Sequence, residues 1–377
     1  MYTITNGIIH GSVLINDDGK IAAVGEVSLP EGVLVIDGQE KVLMPGIIDA
    51  HSHVGIMEEG RGWEGNDVNE AVDPITPHIR ALDGINPEDE GIKEALAGGI
   101  TAACVLPGSA NVIGGEGVIV RMHGRCVEEM VIKESIGLKV AFGENPKRVY
   151  SGQKKSPSTR MATAALLREN LVKADNYRNK LRKGQVDPEK APERDLRLES
   201  LVKVLNKEIP LRAHAHRMDD IMTAIRIAEE FDLDIVIEHC TDGHKIADIL
   251  AKKNIKAIVG PTLSTRSKVE LKDRSFDTLV TLWKAGVLFS ITMDHPVIHL
   301  ENLPVAAALA VKAGLPEEEA LKALTINPAK ILGIDDAYGS IEVGKVADLV
   351  LWNKNPLEIS SIVEKVFING ELVYNNK

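Results

Sequence analysis

The sequence predicts an α/β protein: a (β/α)8 TIM barrel with a small β-sandwich formed by the N- and C-terminal segments. Apolar runs alternate with helical patterns through the middle of the chain, as they do in βα units. Short strand-like runs bounded by turn residues occupy both ends. The composition is 44% hydrophobic but only 3% aromatic. The core must therefore be built from small and branched aliphatic residues, which suit parallel strands buried on both faces.

The two chain ends are predicted to form one composite β-sandwich from residues 1–43 plus 340–377. Near the N-terminus, Asp18-Gly19 separates two apolar runs, which is typical of a tight hairpin. Two further strand-like runs follow residue 340. Neither end is large enough to form a stable sheet alone, so we expect the two ends to combine. The barrel then occupies residues 44–339.

Eight candidate strands, the number in a closed barrel, fall in this middle region. They are Gly46–His53, Thr101–Leu106, Gly117–Met122, Leu138–Phe142, Leu211–His216, Ile235–His239, Ile255–Val259 and Leu288–Met293. Two long charged helical stretches between about residues 160 and 207 are interpreted as an inserted helical hairpin, a lid or a subunit contact. We therefore expect a homo-oligomer.

Charge and composition limit the possible partners. The chain has 44 basic and 55 acidic residues, a formal net charge of -11, which argues against a nucleic-acid binder. Its three cysteines have no paired spacing, so neither a disulfide framework nor a cysteine zinc site is expected. No apolar run of about 18 residues or secretory leader is evident. We expect a cytoplasmic protein with a small-molecule substrate and no membrane partner.

An apolar strand that runs into His51 and His53 is the first candidate for a metal site. Side chains alternate between the faces of a strand, so these two imidazoles point the same way and can share one ion. The alternative is two unrelated imidazoles on a polar loop. Ligands at the ends of other strands would favour the metal.

Such side chains follow several other strands, at the carboxyl ends where barrel enzymes place their chemistry. The fifth strand supplies His214 and His216 on one face, and the sixth ends in His239. After the eighth strand comes Asp294, on the face opposite the large apolar side chains. We expect it to face inward.

Alternation also places Lys139 of the fourth strand inside the barrel. Burial without a partner lowers the pKa of an ammonium group and frees the neutral amine, which can react with carbon dioxide to give a carbamate. A carbamate is a carboxylate-like bridge between two metal ions. The alternatives are a lysine that reaches solvent from the strand end and a lysine paired with a nearby acid.

These residues, with the segments Pro45–His53 and Gly339–Val350, resemble the amidohydrolase superfamily, in order and over nearly the whole chain. Within it, the chain is most similar to the imidazolonepropionase-like branch, which includes metal-dependent dipeptidases. The resemblance implies two divalent metal ions, most simply zinc. The implied ligands are His51, His53 and Asp294 for one ion, and carbamylated Lys139, His214 and His239 for the other.

The resemblance further implies hydrolysis of an amide C–N bond in a dipeptide, N-acyl amino acid or cyclic amide. A metal-bridging hydroxide would attack the carbonyl, and Asp294 would act as proton shuttle. Deaminases of the superfamily usually use one metal and an acid shortly after the fifth-strand histidine, whereas no acid precedes Asp219 here. A mononuclear deaminase or imidazolonepropionase-type hydrolase remains the alternative. A non-catalytic scaffold is disfavoured because every expected ligand is present.

Substrate contacts are less well defined by sequence. A predicted loop after the fourth strand offers Arg148 and Tyr150, and Arg217 follows the fifth strand; these side chains could bind a substrate carboxylate. Solvated loop charges are the alternative. His216 could contact substrate or serve as an alternative ligand, and His295 is a further candidate contact.

Overall fold

The structure is a computed structural model that describes residues 1–376. Its strands are β1 Ser12–Ile15, β2 Ile21–Gly25, β3 Val42–Pro45, β4 Ile47–Ser52, β5 Ile100–Val105, β6 Ile113–Glu116, β7 Val118–Arg121, β8 Val131–Lys133, β9 Leu138–Ala141, β10 Leu211–Ala215, β11 Ile235–His239, β12 Lys256–Val259, β13 Phe289–Ile291, β14 Leu349–Trp352, β15 Val363–Ile368 and β16 Glu371–Asn375. Its helices are α1 Glu90–Ala97, α2 Val127–Met130, α3 Glu144–Gly152, α4 Arg160–Val186, α5 Leu196–Leu205, α6 Met218–Glu230, α7 Ala247–Lys252, α8 Asp277–Ala285, α9 Leu303–Lys312, α10 Glu317–Lys322 and α11 Ile326–Leu332. The protein is thus α/β.

The N- and C-terminal segments meet in one antiparallel sheet. Its strand order is β16-β15-β14-β3, and β3 pairs with β14 along its whole length. The hairpin β1-β2 lies against this sheet through a bridge between Lys20 and Val346. Gly19, in its turn, has a φ of +72°, and an added Cβ would lie 2.1 Å from the Asn369 carbonyl oxygen. Only glycine permits this close approach.

The central strands form two sheets. One contains the parallel run β9-β10-β11-β12-β13, and in the other β4 and β5 are parallel. The Thr292 hydroxyl, just after β13, donates to the His51 carbonyl oxygen of β4 over 2.7 Å, so the two sheets adjoin there. Every residue of β4, β5, β9 and β10 is buried, in agreement with strands covered on both faces.

The expectation of eight parallel strands is wrong for its third member. The segment predicted as Gly117–Met122 contains β7, which pairs antiparallel with β5. Parallel neighbours need a crossover of a dozen or more residues, normally a helix. The residues between β5 and β7 instead contain the extended strand β6, which pairs antiparallel with β9. The chain therefore reverses direction here.

The segment from residue 160 to 207 consists mainly of α4 and α5. The 27-residue helix α4 begins at Arg160 and is capped by Thr159, whose side chain accepts a hydrogen bond from the Ala162 amide. Leu167 and Leu171 are buried on one side of α4, and Arg178 donates to the Leu205 carbonyl oxygen of α5 over 2.7 Å. In residues 1–376, no helix has the length and apolar character needed to cross a membrane.

Candidate metal centre

The carboxyl ends of five parallel strands bring the candidate ligands together. His51 lies in β4 with His53 just beyond it; His214 and His239 lie in β10 and β11. Lys139 of β9 is in register with Arg212 of β10, two residues before His214. Asp294 follows β13 with a φ of 53°, in the left-handed region. Such strained backbone is concentrated at functional sites.

The first cluster joins His51, His53 and Asp294. The Oδ1 atom of Asp294 is 3.1 Å from Nε2 of His51 and 3.3 Å from Nε2 of His53. Nδ1–H of His53 donates to the Leu106 carbonyl oxygen over 2.7 Å, and Nδ1–H of His51 donates to the Glu238 carboxylate over 2.8 Å. Because Nδ1 carries the proton in both rings, each Nε2 presents a lone pair towards Asp294.

The second cluster joins His214, His216 and His239. One ligand atom from each lies within 4.8 Å of the others. Nδ1–H of His239 donates to the Gly260 carbonyl oxygen over 2.9 Å, which leaves Nε2 as its free acceptor. The His239 ring is 4.8 Å from that of His51, so the two clusters adjoin. Burial lowers the pKa of His239 to about 3, which keeps this imidazole neutral and able to bind a metal.

A buried ion pair between Arg212 and Glu238 lies next to the first cluster. Glu238, which binds His51, also accepts from Nε of Arg212, and Arg212 donates to the Ala50 carbonyl oxygen over 2.7 Å. Both side chains are at most 1% exposed. Burial opposes ionisation of Glu238, but Arg212 and His51 outweigh it and hold the pKa of Glu238 well below its usual range. The carboxylate therefore stays charged and fixes the orientation of His51.

The amine of Lys139 is buried at the centre without a hydrogen-bond partner. It is 1% exposed, and its Nζ has no hydrogen-bond partner in the described chain. Burial lowers the pKa of Lys139 to about 8. Of the three sequence-based interpretations, solvent contact does not fit this burial, and no hydrogen bond pairs the amine with an acid.

Further polar atoms at the centre also lack partners. They are Nε2 of His51, Nδ1 of His214 and Oδ1 of Asp294, all buried. Buried polar atoms are normally paired. Their concentration at one place, with imidazole nitrogens beside a carboxylate, fits a site for divalent metal ions.

The structure places some of the expected substrate contacts at the centre and others away from it. His216 lies in the second cluster, and His295 is fully buried beside Asp294 with both ring nitrogens unpartnered. The pKa of His295 is lowered to about 4, mainly by burial. By contrast, Arg217 pairs with Asp219 over 2.8 Å.

The segment expected as a loop after the fourth strand is instead the helix α3. Arg148 lies on its exposed side. Tyr150 is fully buried, and its hydroxyl donates to the Asn111 side chain over 2.6 Å. The structure thus brings neither side chain to the metal clusters, and the hydroxyl of Tyr150 is already engaged.

Two glutamates of the centre escaped the sequence analysis. Glu238 precedes the candidate ligand His239, and strict alternation would turn one of the two side chains away; however, His239 has a φ of 68°, so the strand pattern breaks there and both face the centre. Glu270 lies in a three-residue 3-10 helix, Val269–Leu271, before α8, which is too short for periodicity to indicate the direction of its side chains. Its Oε1 is 3.7 Å from Nε2 of His216 and 4.0 Å from Nε2 of His214, and burial raises its pKa.

Comparison with known proteins identifies the family. The Amidohydrolase family matches residues 42–373, most of the chain. A solved amidohydrolase from Thermotoga maritima MSB8 is 49% identical, with a TM-score of 0.98, and the alignment covers 100% of this chain and 98% of that one. The chain belongs to the amidohydrolase family, as its motifs predict.

Two curated relatives describe the branch. A probable imidazolonepropionase from Xenopus tropicalis is 26% identical over 100% of this chain and 93% of its own length. Amidohydrolase tasK from Hapsidospora irregularis is 29% identical over 98% of this chain, but this chain spans only 40% of tasK. The predicted imidazolonepropionase-like membership is confirmed.

Proposed function

We propose that the protein is a metal-dependent hydrolase of an amide C–N bond in a small molecule. The observation that carries this proposal is the convergence of two clusters of candidate ligands, in which Nε2 of His51, Oδ1 of Asp294 and Nδ1 of His214 lack protein partners. We assign one ion to His51, His53 and Asp294. The second ion is assigned to Lys139, His214 and His239. The two sites are neighbours, because the rings of His51 and His239 lie 4.8 Å apart.

Zinc is the metal proposed for this nitrogen and carboxylate donor set. When bound, two such cations would acidify a water molecule and polarise a carbonyl group. The chain itself supplies the remaining functions. Nδ1–H bonds to Leu106, Glu238 and Gly260 orient three imidazoles before any ion binds.

Lys139 is proposed to carry a carbamate. Its neutral amine nitrogen attacks the carbon of carbon dioxide, a C–N bond forms, and one proton leaves to solvent. The product is an anion with two oxygens, which suits a position between two cations. Support comes from the full burial of Nζ and its lack of a partner.

Asp294 is proposed to move the proton. Its Oδ1 lies beside the imidazoles of the first cluster, where it can accept a proton from the attacking water. It then donates this proton to the leaving nitrogen, which makes the amine a better leaving group. The proton therefore needs no second carrier.

Architecture is part of the proposal. We infer that the two central sheets together form the barrel, residues 44–339, and that the terminal segments form the sandwich. The helical segment from 160 to 207 is proposed as the contact between subunits.

The likeness to imidazolonepropionases supports a second candidate function, mononuclear hydrolysis of a cyclic imidazolone. Retention of every ligand argues against a scaffold.

A substrate screen tests the function. Zinc-loaded protein is incubated with dipeptides, N-acyl amino acids, cyclic amides and an imidazolone, with Asp294→Asn as the inactive control. We expect hydrolysis of at least one amide class by the wild type and none by the control. Deamination alone, or equal turnover by the control, would contradict the proposal.

A further inference from the structure

A cavity separate from the metal clusters lies between two helices and the terminal sheet. Its volume is about 470 Å³, within the range of roughly 300–1,000 Å³ that small-molecule pockets occupy. Helices α1 and α9 form one wall, and β14, β15 and the loop between them form the other. Most of the lining side chains are apolar, and Ile359 at the rim is 82% exposed. An apolar molecule can therefore enter from solvent at this rim.

Two residues that line the cavity have a buried polar atom without a partner. Trp352 of β14 is 3% exposed, yet its Nε1–H has no acceptor in residues 1–376. The Oε2 atom of Glu301 is also buried, and it has no donor in the same part of the chain. Buried indole N–H groups and carboxylate oxygens are normally paired, because burial without a partner costs free energy. A donor and an acceptor are therefore left for a ligand.

Two consecutive glycines after α1 bring these two residues next to one another. A Cβ atom on Gly98 would lie 2.5 Å from Cβ of Glu301, and one on Gly99 would lie 2.8 Å from Cζ2 of Trp352. The φ of Gly99 is +83°, a conformation that favours glycine. Because the same short segment contacts both residues, one small molecule can reach both polar atoms.

The charged side chains of the cavity are all acidic. They are Glu94, Glu301 and Glu358, and no basic residue of the described chain lines the cavity. Glu358 pairs with Lys354 over 3.2 Å, whereas the other two pair with no lysine or arginine in residues 1–376. The imidazole of His299 faces both, with Nδ1 3.5 Å from an oxygen of each. One imidazole carries at most a single positive charge, so the two carboxylates favour a cationic ligand.

We propose that this cavity binds a small organic amine as its ammonium cation. The ammonium group lies against Glu94 and Glu301, where it donates to the free Oε2. The apolar body of the amine fills the cavity, and an oxygen atom of the ligand accepts from Nε1–H of Trp352. This inference goes beyond the proposed hydrolysis and does not depend on it, because no residue assigned to a metal ion lines the cavity.

Tyramine is a suitable probe, because it carries an ammonium group, an aromatic body and a hydroxyl oxygen. Zinc-loaded full-length protein, freed of unbound ions, is titrated by calorimetry with tyramine and with para-ethylphenol, which has nearly the same body but no charge. We expect tyramine to bind at least about tenfold more tightly, as hydrogen bonds to a charged group allow. Glu301→Gln should remove this preference. Glu90→Gln is the matched control, because Glu90 lies on the same helix, pairs with Lys93 and does not line the cavity; it should keep the preference.

The indole N–H signal of Trp352 shows where the amine binds. The chain has three tryptophans, so ¹H–¹⁵N correlation spectra contain few indole signals, and Trp352→Phe identifies the one that matters. We expect tyramine to shift the Trp352 signal over the same concentrations at which calorimetry detects binding. If Trp352→Phe does not fold, Trp63→Phe and Trp283→Phe assign the remaining signal by elimination.

Three results would overturn the inference. The first is a wild type that does not bind tyramine, or that binds para-ethylphenol equally well. The second is a tyramine affinity that Glu301→Gln leaves unchanged. The third is binding that does not move the Trp352 signal, which would place the amine elsewhere, for example at the metal centre.

Discussion

Replacement of Arg212 by methionine is expected to destabilise the fold strongly while leaving the packing volume nearly unchanged. Arg212 is 1% exposed, and its partner Glu238 is fully buried. Methionine cannot neutralise Glu238, so the variant keeps a buried charge without its main partner. The Ala50 carbonyl oxygen also loses a donor that lies at 2.7 Å.

Breaking a buried ion pair from one side typically costs about 3–5 kcal/mol. This is a large fraction of the roughly 5–15 kcal/mol that stabilises a typical domain. The double variant Arg212→Met/Glu238→Gln removes both charges, and glutamine can still accept from His51. We therefore expect the double variant to recover about half of the loss or more.

Urea unfolding followed by circular dichroism measures these free energies, with a chelator present so that metal binding does not contribute. Arg125→Met is the matched control, because Arg125 pairs with Glu129 on the surface. It should unfold like the wild type. The reasoning is refuted if Arg212→Met costs no more than this control, or if the double variant is as unstable as the single one.

Three further predictions concern other groups. Lys139→Ala should retain about one zinc ion per chain and lose most activity, and unchanged zinc content in elemental analysis would remove the carbamate. Asp294→Asn should abolish turnover with a native circular dichroism spectrum, so appreciable turnover would exclude Asp294 as proton carrier. Burial raises the pKa of Asp348 to about 6, so the folded state binds this proton more tightly, and the contribution of Asp348 to stability falls as pH rises from about 4 to 6. Relative to Asp348→Asn, whose side chain does not titrate, the wild type should lose roughly 2 kcal/mol of unfolding free energy over that range, and parallel stability curves would contradict this.

The candidate ligands that lie in or directly after regular strands could be placed from sequence because alternation gives the direction of each side chain. This applies to His51 and His53, which meet at Asp294, and to Lys139, which is buried as expected. Position at the carboxyl end then brings separate strands to one place. Local pattern and strand direction together define much of the centre.

What could not be predicted depends on long-range packing or on local backbone irregularity. The apolar run of β7 has the same pattern whichever way the strand runs, so its antiparallel pairing with β5 was missed. Glu238 and His239 both face the centre because the backbone at His239 leaves the regular strand region. Glu270 is positioned by the Glu144 amide, far away in sequence. The segment of α3 was expected as a loop, although it forms a helix that buries Tyr150.

The zinc content of the purified wild-type chain tests the central claim most directly. Protein is stripped of metal, incubated with excess zinc and bicarbonate, freed of unbound ions and measured by elemental analysis against protein concentration. The two clusters of candidate ligands, together with the buried Lys139 of β9, the strand between β6 and β10, predict about two zinc ions per chain. About one ion per chain would contradict the two-metal account in favour of a mononuclear hydrolase, and none would contradict metal-dependent hydrolysis altogether.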